Sequence, residues 1–365
     1  MKYSIVLLTV IVTSTIAKQP LFTNKKEIIE RGGNVTQITD DWHYTPAPFA
    51  FKQEPEWFCK ISGAYVLELE NASIYSHHGI VLCDKQIYQD SLWAWSPLYK
   101  SPHDIFPLPS IEYCDKTVAT IALEGWNNYY HWMTEILPRI HLLQQTNAKY
   151  DLLYIAPLNY HYQKDTLELL GVNLEKIIIA EPKTHIQPKK LIFPSQTARS
   201  CVIPLWVIEF LQNTLLKNYE VKDGKKRIFI SREDSSIRHI INEDEVFTVL
   251  EPFGFEKVYM EQLPVIEQAQ LIRESEYIVG THGAGMTNIL FAQKGTIVIE
   301  LLQELVDECF CDLCRTAELE YHGIKTERIP NLSQEHIDVR YRNTFIDIDH
   351  FKKDLMTLFK GLILK

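Results

Sequence analysis

Residues 277–288 read Tyr277-Ile-Val-Gly-Thr-His-Gly-Ala-Gly-Met-Thr-Asn288, an apolar run that ends in a glycine-rich turn. The run predicts a buried strand, and a helix is expected to begin near Met286. In open α/β sheets, ligands lie at the carboxyl ends of strands, where a helix N-terminus offers free N–H groups to a phosphate. Gly283 and Gly285 would let this backbone approach closely, and His282 could bind a phosphate oxygen or a ribose. The alternative is a tight turn with a structurally satisfied histidine.

Strands and helices alternate outward from this turn. The predicted strands cover residues 64–70, 80–84, 117–123, 152–156, 177–180, 190–193, 227–232, 257–260, 277–280 and 296–301. The predicted helices cover residues 130–145, 163–170, 205–216, 243–250 and 264–274. Near-continuous apolar strands between helices are typical of parallel sheets covered on both faces. We therefore predict an α/β fold in two halves that divide near residues 217–226. A terminal helix is expected over residues 347–364, where it could pack back across the first half.

The composition of the 365 residues is that of a globular protein, with 46% hydrophobic and 23% charged residues. Such a chain can bury a core without disulfides. The net charge of −10 argues against a nucleic-acid-binding surface, which needs a basic face. An apolar run over residues 5–16 follows Lys2, which favours an export signal over residues 1–17, cleaved or kept as an anchor, rather than a buried element. Localisation in the lumen of the secretory pathway, or on its membrane, follows from this expectation.

The second polar segment follows the predicted strand at residues 227–232. Ser231 and Arg232 would stand at its carboxyl end, and a guanidinium pairs well with phosphate oxygens. Arg238, in the next loop, is a weaker candidate. A strand-end arginine is more often a surface charge.

The third segment lies on the predicted helix at residues 130–145. His131 and Glu135 are four residues apart and share one helical face, where a carboxylate beside an imidazole could accept a proton from a hydroxyl. The alternative is a structural hydrogen bond. His131 and Glu135 could also bind a metal, but no third ligand is evident near them. The cluster of Cys309, Cys311 and Cys314 lacks a fourth ligand at the spacing of a zinc site, so buried thiols or a local disulfide are favoured there.

Together the three segments resemble glycosyltransferase family 61. The resemblance is carried by Tyr130-His131-Trp132 to Pro138-Arg139, by Ile230-Ser231-Arg232 and by residues 280–288, within a stretch of about 195 residues from 110 to 305. It implies a GT-B-like fold, two Rossmann-like domains facing across a cleft. Residues 18–216 would form the acceptor-side domain, residues 217–346 the nucleotide-sugar domain, and residues 347–365 a C-terminal helix.

The resemblance also implies the chemistry. Family members are inverting enzymes that use UDP-sugars, including UDP-xylose and UDP-N-acetylglucosamine, without a bound metal or other cofactor. The expected acceptor is a hydroxyl of a glycan or glycoprotein. Carried over, Glu135 would be the general base, with His131 orienting it or the acceptor. The donor would be bound by Ser231, Arg232, His282, Gly283, Ala284, Gly285, Met286, Thr287 and Asn288.

Two other classes of function fit parts of the sequence. A catalytically silent nucleotide- or glycan-binding protein could keep the same fold, but it would not need Arg232, His131 and Glu135 together. A Rossmann-type oxidoreductase is disfavoured because the glycine turn comes late in the chain and lacks a third spaced glycine. Glu300 is the nearest candidate for the ribose-binding acid that such an enzyme requires.

Overall fold

The computed structural model describes residues 22–43, 60–94, 96–199, 201–221, 224–302, 308–326 and 343–363. The export signal expected over residues 1–17 lies outside these ranges. Among the helices of the described ranges, none is long and apolar enough to span a bilayer. The α/β class predicted from the sequence is confirmed, because both sheets combine with helices along the chain.

The first half is organised around a ten-stranded sheet. Its strands are β1 (Phe22–Thr23), β2 (Asn34–Gln37), β5 (Tyr65–Leu69), β6 (Ala72–Tyr75), β7 (Ile80–Cys83), β8 (Gln86–Tyr88), β9 (Glu112–Thr120), β10 (Leu152–Ile155), β11 (Ile177–Ile179) and β12 (His185–Pro194). Strands β3 (Trp42–His43) and β4 (Lys60–Ile61) form a separate two-stranded ladder.

This first sheet is mixed rather than parallel. Strands β9, β10, β11 and β12 run parallel in the order β12-β9-β10-β11. Strands β5 and β6 pair with β12 in the antiparallel direction, and β6, β7 and β8 form successive antiparallel hairpins. The prediction of parallel sheets in both halves is therefore wrong for the first half, because its early strands are joined by tight turns too short for a crossover helix.

The second half contains a five-stranded sheet that is parallel throughout. Its strands are β13 (Lys226–Ile230), β14 (Phe255–Val258), β15 (Ser275–Thr281), β16 (Ile297–Leu302) and β17 (Glu320–Lys325), in the order β14-β13-β15-β16-β17. The chain reverses its direction of travel across the sheet between β13 and β15. At such a switch point the loops after two neighbouring strands diverge and leave a crevice for a ligand.

The helices pack on both sheets. They are α1 (Lys25–Glu30), α2 (Tyr129–His131), α3 (Pro138–Gln145), α4 (His161–Leu169), α5 (Leu205–Leu215), α6 (Glu243–Leu250), α7 (Val265–Arg273), α8 (Cys309–Thr316) and α9 (Ile348–Ile363). Short 3-10 helices cover Gln89–Ser91, Pro97–Tyr99, Pro102–Ile105, Leu174–Lys176, Glu251–Phe253, Met260–Gln262 and Ala284–Phe291.

The helix predicted over residues 130–145 contains a π-helical turn, Trp132–Ile136, between α2 and α3. Pro138 explains it, since proline has no N–H to donate and its ring crowds the carbonyl four residues back. The Leu137 N–H instead reaches the Trp132 carbonyl, five residues back, at 2.8 Å. The Thr197 hydroxyl donates to the carbonyl of Thr134 at 2.9 Å, so this buried acceptor is satisfied.

One apolar cluster joins the two halves. It includes Trp132 and Ile136 from the first half, and Ile278, Met286 and Phe310 from the second. Helix α9 packs elsewhere: its Phe351, Leu355 and Phe359 belong to a second cluster with residues of β13, β15 and β16. The expectation that the terminal helix packs across the first half is therefore wrong, because its apolar side matches the outer face of the second sheet.

Candidate active site

The glycine turn and Arg232 lie side by side at the switch point of the second sheet. Ile230 of β13 pairs with Gly280 of β15, so the residues that follow both strands emerge next to each other. A Cβ atom added to Gly283 would lie 2.0 Å from Arg232 Nη1, which shows how closely the guanidinium approaches the turn. The structure thus brings together two of the segments that the sequence analysis proposed as donor-binding.

The guanidinium of Arg232 is held from one side only. Its Nε–H donates to the Arg238 carbonyl at 3.2 Å, and Nη2 donates to Ser235 Oγ at 2.8 Å and to the Ile237 carbonyl at 3.0 Å. Within the described ranges Nη1 has no hydrogen-bond acceptor and faces Gly283. Burial, and then the positive charge of Arg238, lower the pKa of Arg232 to about 10. An anion beside Nη1 would compensate this unbalanced positive charge.

The turn itself presents backbone N–H groups. The helix that follows begins at Ala284, two residues earlier than expected, and it is a 3-10 helix rather than an α-helix. Its first backbone bond runs from the Met286 N–H to the Gly283 carbonyl, at 2.9 Å. The N–H groups of Ala284 and Gly285 have no acceptor among the described residues, and both residues are only half-buried. These two donors can therefore bind a ligand at the same edge as Arg232.

Other residues of the predicted donor set point into the protein. Ser231 Oγ donates to Glu243 Oε1 at 2.5 Å, and the same carboxylate oxygen lies 3.2 Å from Lys257 Nζ. The side chains of Met286 and Thr287 are buried, at 1% and 0% exposure. These side chains support the turn from beneath, while the backbone and Arg232 form its open side.

Asn288 connects the two halves of the chain. Its Oδ1 accepts a hydrogen bond from the Tyr129 hydroxyl at 2.7 Å, and its Nδ2 donates to Gln268 Oε1 at 2.8 Å and to the Gly285 carbonyl at 3.2 Å. The residue is fully buried. The side chain predicted to bind the donor therefore stabilises the turn and ties it to α2.

His282 belongs to a buried chain of hydrogen bonds across three strands. Its Nδ1 lies 2.8 Å from Glu300 Oε1 on β16, and Glu300 Oε2 accepts from the Tyr321 hydroxyl of β17 at 2.7 Å. Glu300 is 1% exposed, so these partners replace the water that a carboxylate would otherwise bind. From the sequence, Glu300 is a candidate only for a ribose-binding acid. Its role in orienting His282 depends on pairing between strands, which no local motif reveals.

The predicted pair of His131 and Glu135 is in contact. His131 Nδ1 lies 2.9 Å from Glu135 Oε1, and the second carboxylate oxygen accepts from Trp93 Nε1 at 3.1 Å. Burial by itself lowers the pKa of His131, but the charge of Glu135 and its hydrogen bond outweigh burial, and the pKa is raised. Trp93 is a functional candidate that the sequence analysis missed, since it lies 42 residues from Glu135 in an irregular segment.

A buried arginine lies behind this pair. Arg139 is 0% exposed, and its Nη1 donates to the Ala122 carbonyl at the end of β9 at 3.1 Å. Its Nε and Nη2 have no hydrogen-bond partner within the part of the chain described. Burial lowers the pKa of Arg139 to about 10, while the negative charge of Glu135 acts in the opposite direction.

Aromatic rings connect the two polar groups. Phe310 of α8 packs against His282, with ring centroids 4.9 Å apart, and against Tyr130, at 6.2 Å. Tyr130 in turn contacts His131 at 5.3 Å. The groups predicted for the donor side and for the acceptor side therefore lie on either side of one aromatic contact. In the described residues no three His, Cys, Asp or Glu side chains converge as metal ligands would.

Comparison with known proteins gives matches to glycosyltransferases. The family model for Glycosyltransferase 61 matches residues 129–299. The chain is 30% identical over 116 residues to the EGF domain-specific O-linked N-acetylglucosamine transferase of Drosophila melanogaster. This alignment covers 31% of this chain and 22% of that protein. The enzymes of the same description from Gallus gallus and Mus musculus are each 30% identical over 105 residues, covering 27% of this chain and 20% of theirs. The alignments thus span about a fifth of the length of these relatives.

Proposed function

We propose that this chain is a glycosyltransferase of family 61, whose model matches residues 129–299, and that it moves a sugar from a UDP-sugar to a hydroxyl of a glycan or glycoprotein. The relatives are transferases of N-acetylglucosamine by name, which favours an N-acetylglucosamine or similar sugar. We further propose the two-domain GT-B arrangement for the two halves, with the reaction between them. The lumen of the secretory pathway is the compartment in which such a donor and such an acceptor would meet.

The donor side of the proposal rests on one observation: Arg232 Nη1 and the N–H groups of Ala284 and Gly285 converge at the switch point of a parallel sheet. A diphosphate placed there would pair with the open edge of the guanidinium and accept from the backbone. When the bond from the anomeric carbon to the diphosphate breaks, UDP leaves with the bonding electron pair. Arg232 would stabilise the charge that develops on the leaving oxygen, and no bound metal is needed in this proposal.

The acceptor side is assigned to His131 and Glu135. In a single displacement with inversion, the acceptor oxygen attacks the anomeric carbon from the face opposite the diphosphate. Its proton must pass to a base on that side. The pair is in hydrogen-bond contact and lies across Phe310 and Tyr130 from the glycine turn, which supports this division of roles.

The test is binding of a panel of UDP-sugars, measured by thermal shift in the presence of EDTA. We expect one UDP-sugar to raise the melting temperature, and Arg232→Ala to weaken UDP binding about 30-fold, equivalent to about 2 kcal/mol for a charge-assisted contact. Arg227→Ala is the matched control, because Arg227 lies near the start of β13, at the end of the strand opposite Arg232, and pairs with Glu276.

Three results would contradict parts of the proposal. A cooperative melt that no nucleotide shifts would support a silent protein of this fold. A shift that EDTA abolishes would contradict the metal-independent donor site. Glu135→Gln should keep UDP affinity and slow transfer, so transfer at the wild-type rate would remove this pair from the reaction.

A further inference from the structure

Both oxygens of the Glu135 carboxylate are already engaged within the protein. Its Oε1 contacts His131 Nδ1 at 2.9 Å, and its Oε2 accepts from Trp93 Nε1 at 3.1 Å. The side chain is only 2% exposed. An incoming hydroxyl would therefore have to displace one of these two partners or reach a remaining lone pair of an almost fully enclosed carboxylate, and displacing Trp93 would leave its indole N–H without this acceptor.

The imidazole of His131 has the opposite properties. Its side chain is 16% exposed, and among the described residues Nε2 has no hydrogen-bond partner. Since a carboxylate can only accept, Nδ1 must carry the proton in its bond to Glu135. The neutral ring therefore presents Nε2 as a bare acceptor. The ring lies between the edge of Trp93, with centroids 5.1 Å apart, and Gly125, where an added Cβ would come within 3.1 Å of it.

We propose that His131 Nε2 takes the proton of the acceptor hydroxyl, and that Trp93 is a positioning residue that fixes this tautomer by holding Glu135 Oε2. This inference rests on the proposed function, because it assigns the base of that reaction. The proton moves from the acceptor oxygen to Nε2 as the new bond to the sugar forms. The resulting imidazolium is stabilised by Glu135, and the proton is released to solvent after the products leave.

Without Trp93, the carboxylate of Glu135 would be held only by its contact with His131. A carboxylate bound through one oxygen can rotate about its terminal torsion, whereas two bonds at different oxygens fix its plane. A free neutral histidine favours the tautomer with its proton on Nε2, and in that tautomer Nε2 cannot accept a proton. The Trp93–Glu135–His131 array reverses this preference, in the way that a buried carboxylate fixes the histidine of a catalytic triad.

The first experiment reads the tautomer directly, in the protein without ligand. Long-range proton–nitrogen NMR of histidine-labelled protein distinguishes a ring protonated at Nδ1 from one protonated at Nε2. We expect His131 to be protonated at Nδ1 in the wild type and to become a mixture in Trp93→Phe. Trp206→Phe is the matched control, because Trp206 also packs beside a histidine, His141, with ring centroids 5.8 Å apart, and among the described residues it makes no hydrogen bond to Glu135.

The second experiment measures transfer with the UDP-sugar selected by the panel. Trp93→Phe should lower kcat about tenfold, the effect of one hydrogen bond to a charged group, with UDP affinity unchanged. Trp206→Phe should leave both unchanged. If Trp93→Phe fails to fold, the Trp93 indole N–H signal is followed in Glu135→Gln instead, and it should shift while that of Trp206 does not.

The outcomes separate this inference from the proposed function. A wild-type His131 protonated at Nε2, or a Trp93→Phe protein with unchanged tautomer and kcat, overturns the inference even if UDP binds. Absence of UDP binding by the wild type overturns the proposed function, while the tautomer measurement still tests whether Trp93 fixes His131.

Discussion

Replacing Gly283 by alanine would place a methyl group where the Arg232 guanidinium now lies. The added Cβ would come to 2.0 Å from Nη1 and 2.6 Å from Cζ, well inside contact distance. The backbone at Gly283 is extended, with φ 166° and ψ 167°, so alanine can adopt it and the effect falls on Arg232 alone. The guanidinium cannot move away freely, because three hydrogen bonds hold it to the loop of residues 235–238.

We therefore expect Gly283→Ala to remove Arg232 from the donor site nearly as completely as Arg232→Ala does. The loss in UDP binding should be about 2 kcal/mol, or roughly 30-fold in Kd, as for a charge-assisted contact. The two substitutions should not add: the double variant should bind UDP as the single variants do. Isothermal titration calorimetry with UDP measures all three.

Arg227→Ala is the control on the same strand, because Arg227 lies at the opposite end of β13 and pairs with Glu276. Its UDP affinity should remain within about twofold of the wild type, as for a substitution away from the site. If Gly283→Ala binds UDP normally, or if the losses from Gly283→Ala and Arg232→Ala add in full, then the close approach of Arg232 to the turn is not what binds the diphosphate.

Two further predictions concern stability and pH. Tyr129→Phe should lower the free energy of unfolding, measured in urea, by about 1–3 kcal/mol, because it leaves the buried Asn288 Oδ1 without its donor. Tyr162→Phe is the control: it removes a buried hydroxyl that has no partner in the described residues, so the free energy of unfolding should hardly change. The pKa of His131 is raised above 6.5, so kcat/KM should fall on the acid side at a pH above 6.5 as the base is protonated, and Glu135→Gln should move that limb to lower pH. The contribution of His131 to stability has the opposite dependence: it is complete below pH 6.5 and is lost as the pH rises through the folded-state pKa. Equal urea midpoints for the two tyrosine variants, or an acid limb that Glu135→Gln leaves in place, would contradict these expectations.

The second half of the fold could be predicted well from the sequence because its signals are local. Helix α6 covers Glu243–Leu250, the same bounds as its apolar periodicity and acidic first turn predict. Strands β13, β15 and β16 contain short apolar runs, and a helix comes after each of them in the chain. The position of Arg232 beside the glycine turn follows from the general rule for strand ends in such sheets.

The first sheet could not be predicted in the same way. Its antiparallel part depends on pairs such as Leu191 with Leu69, which are far apart in the chain and joined by no local motif. The helix at residues 130–145 was predicted as regular, although Pro138 is compatible with the π-helical turn that the structure contains. Local patterns identify the elements, but the partner of each strand is decided by packing.

In the candidate site, too, the contacts between residues close in sequence could be predicted, whereas the contacts between distant segments could not. The contact between His131 and Glu135 follows from their spacing on a helix, and it is observed. The partners that complete the site come from elsewhere: Trp93 holds Glu135, and Tyr321 holds Glu300 beneath His282. The predicted donor residues Asn288 and Ser231 are polar residues in the right segment whose side chains are occupied internally, a distinction that sequence spacing does not contain.

The shared interior of the two halves limits how such a chain can diverge. Gln212 of α5 donates to the Leu290 carbonyl at 2.6 Å and accepts from Arg273 at 3.1 Å, beside the bond between Tyr129 and Asn288. Neither half could be exchanged for a counterpart from another protein without rebuilding the face that it presents to its neighbour. Natural variation in substrate should therefore accumulate on the outer loops, and the residues of this seam should change only in concert.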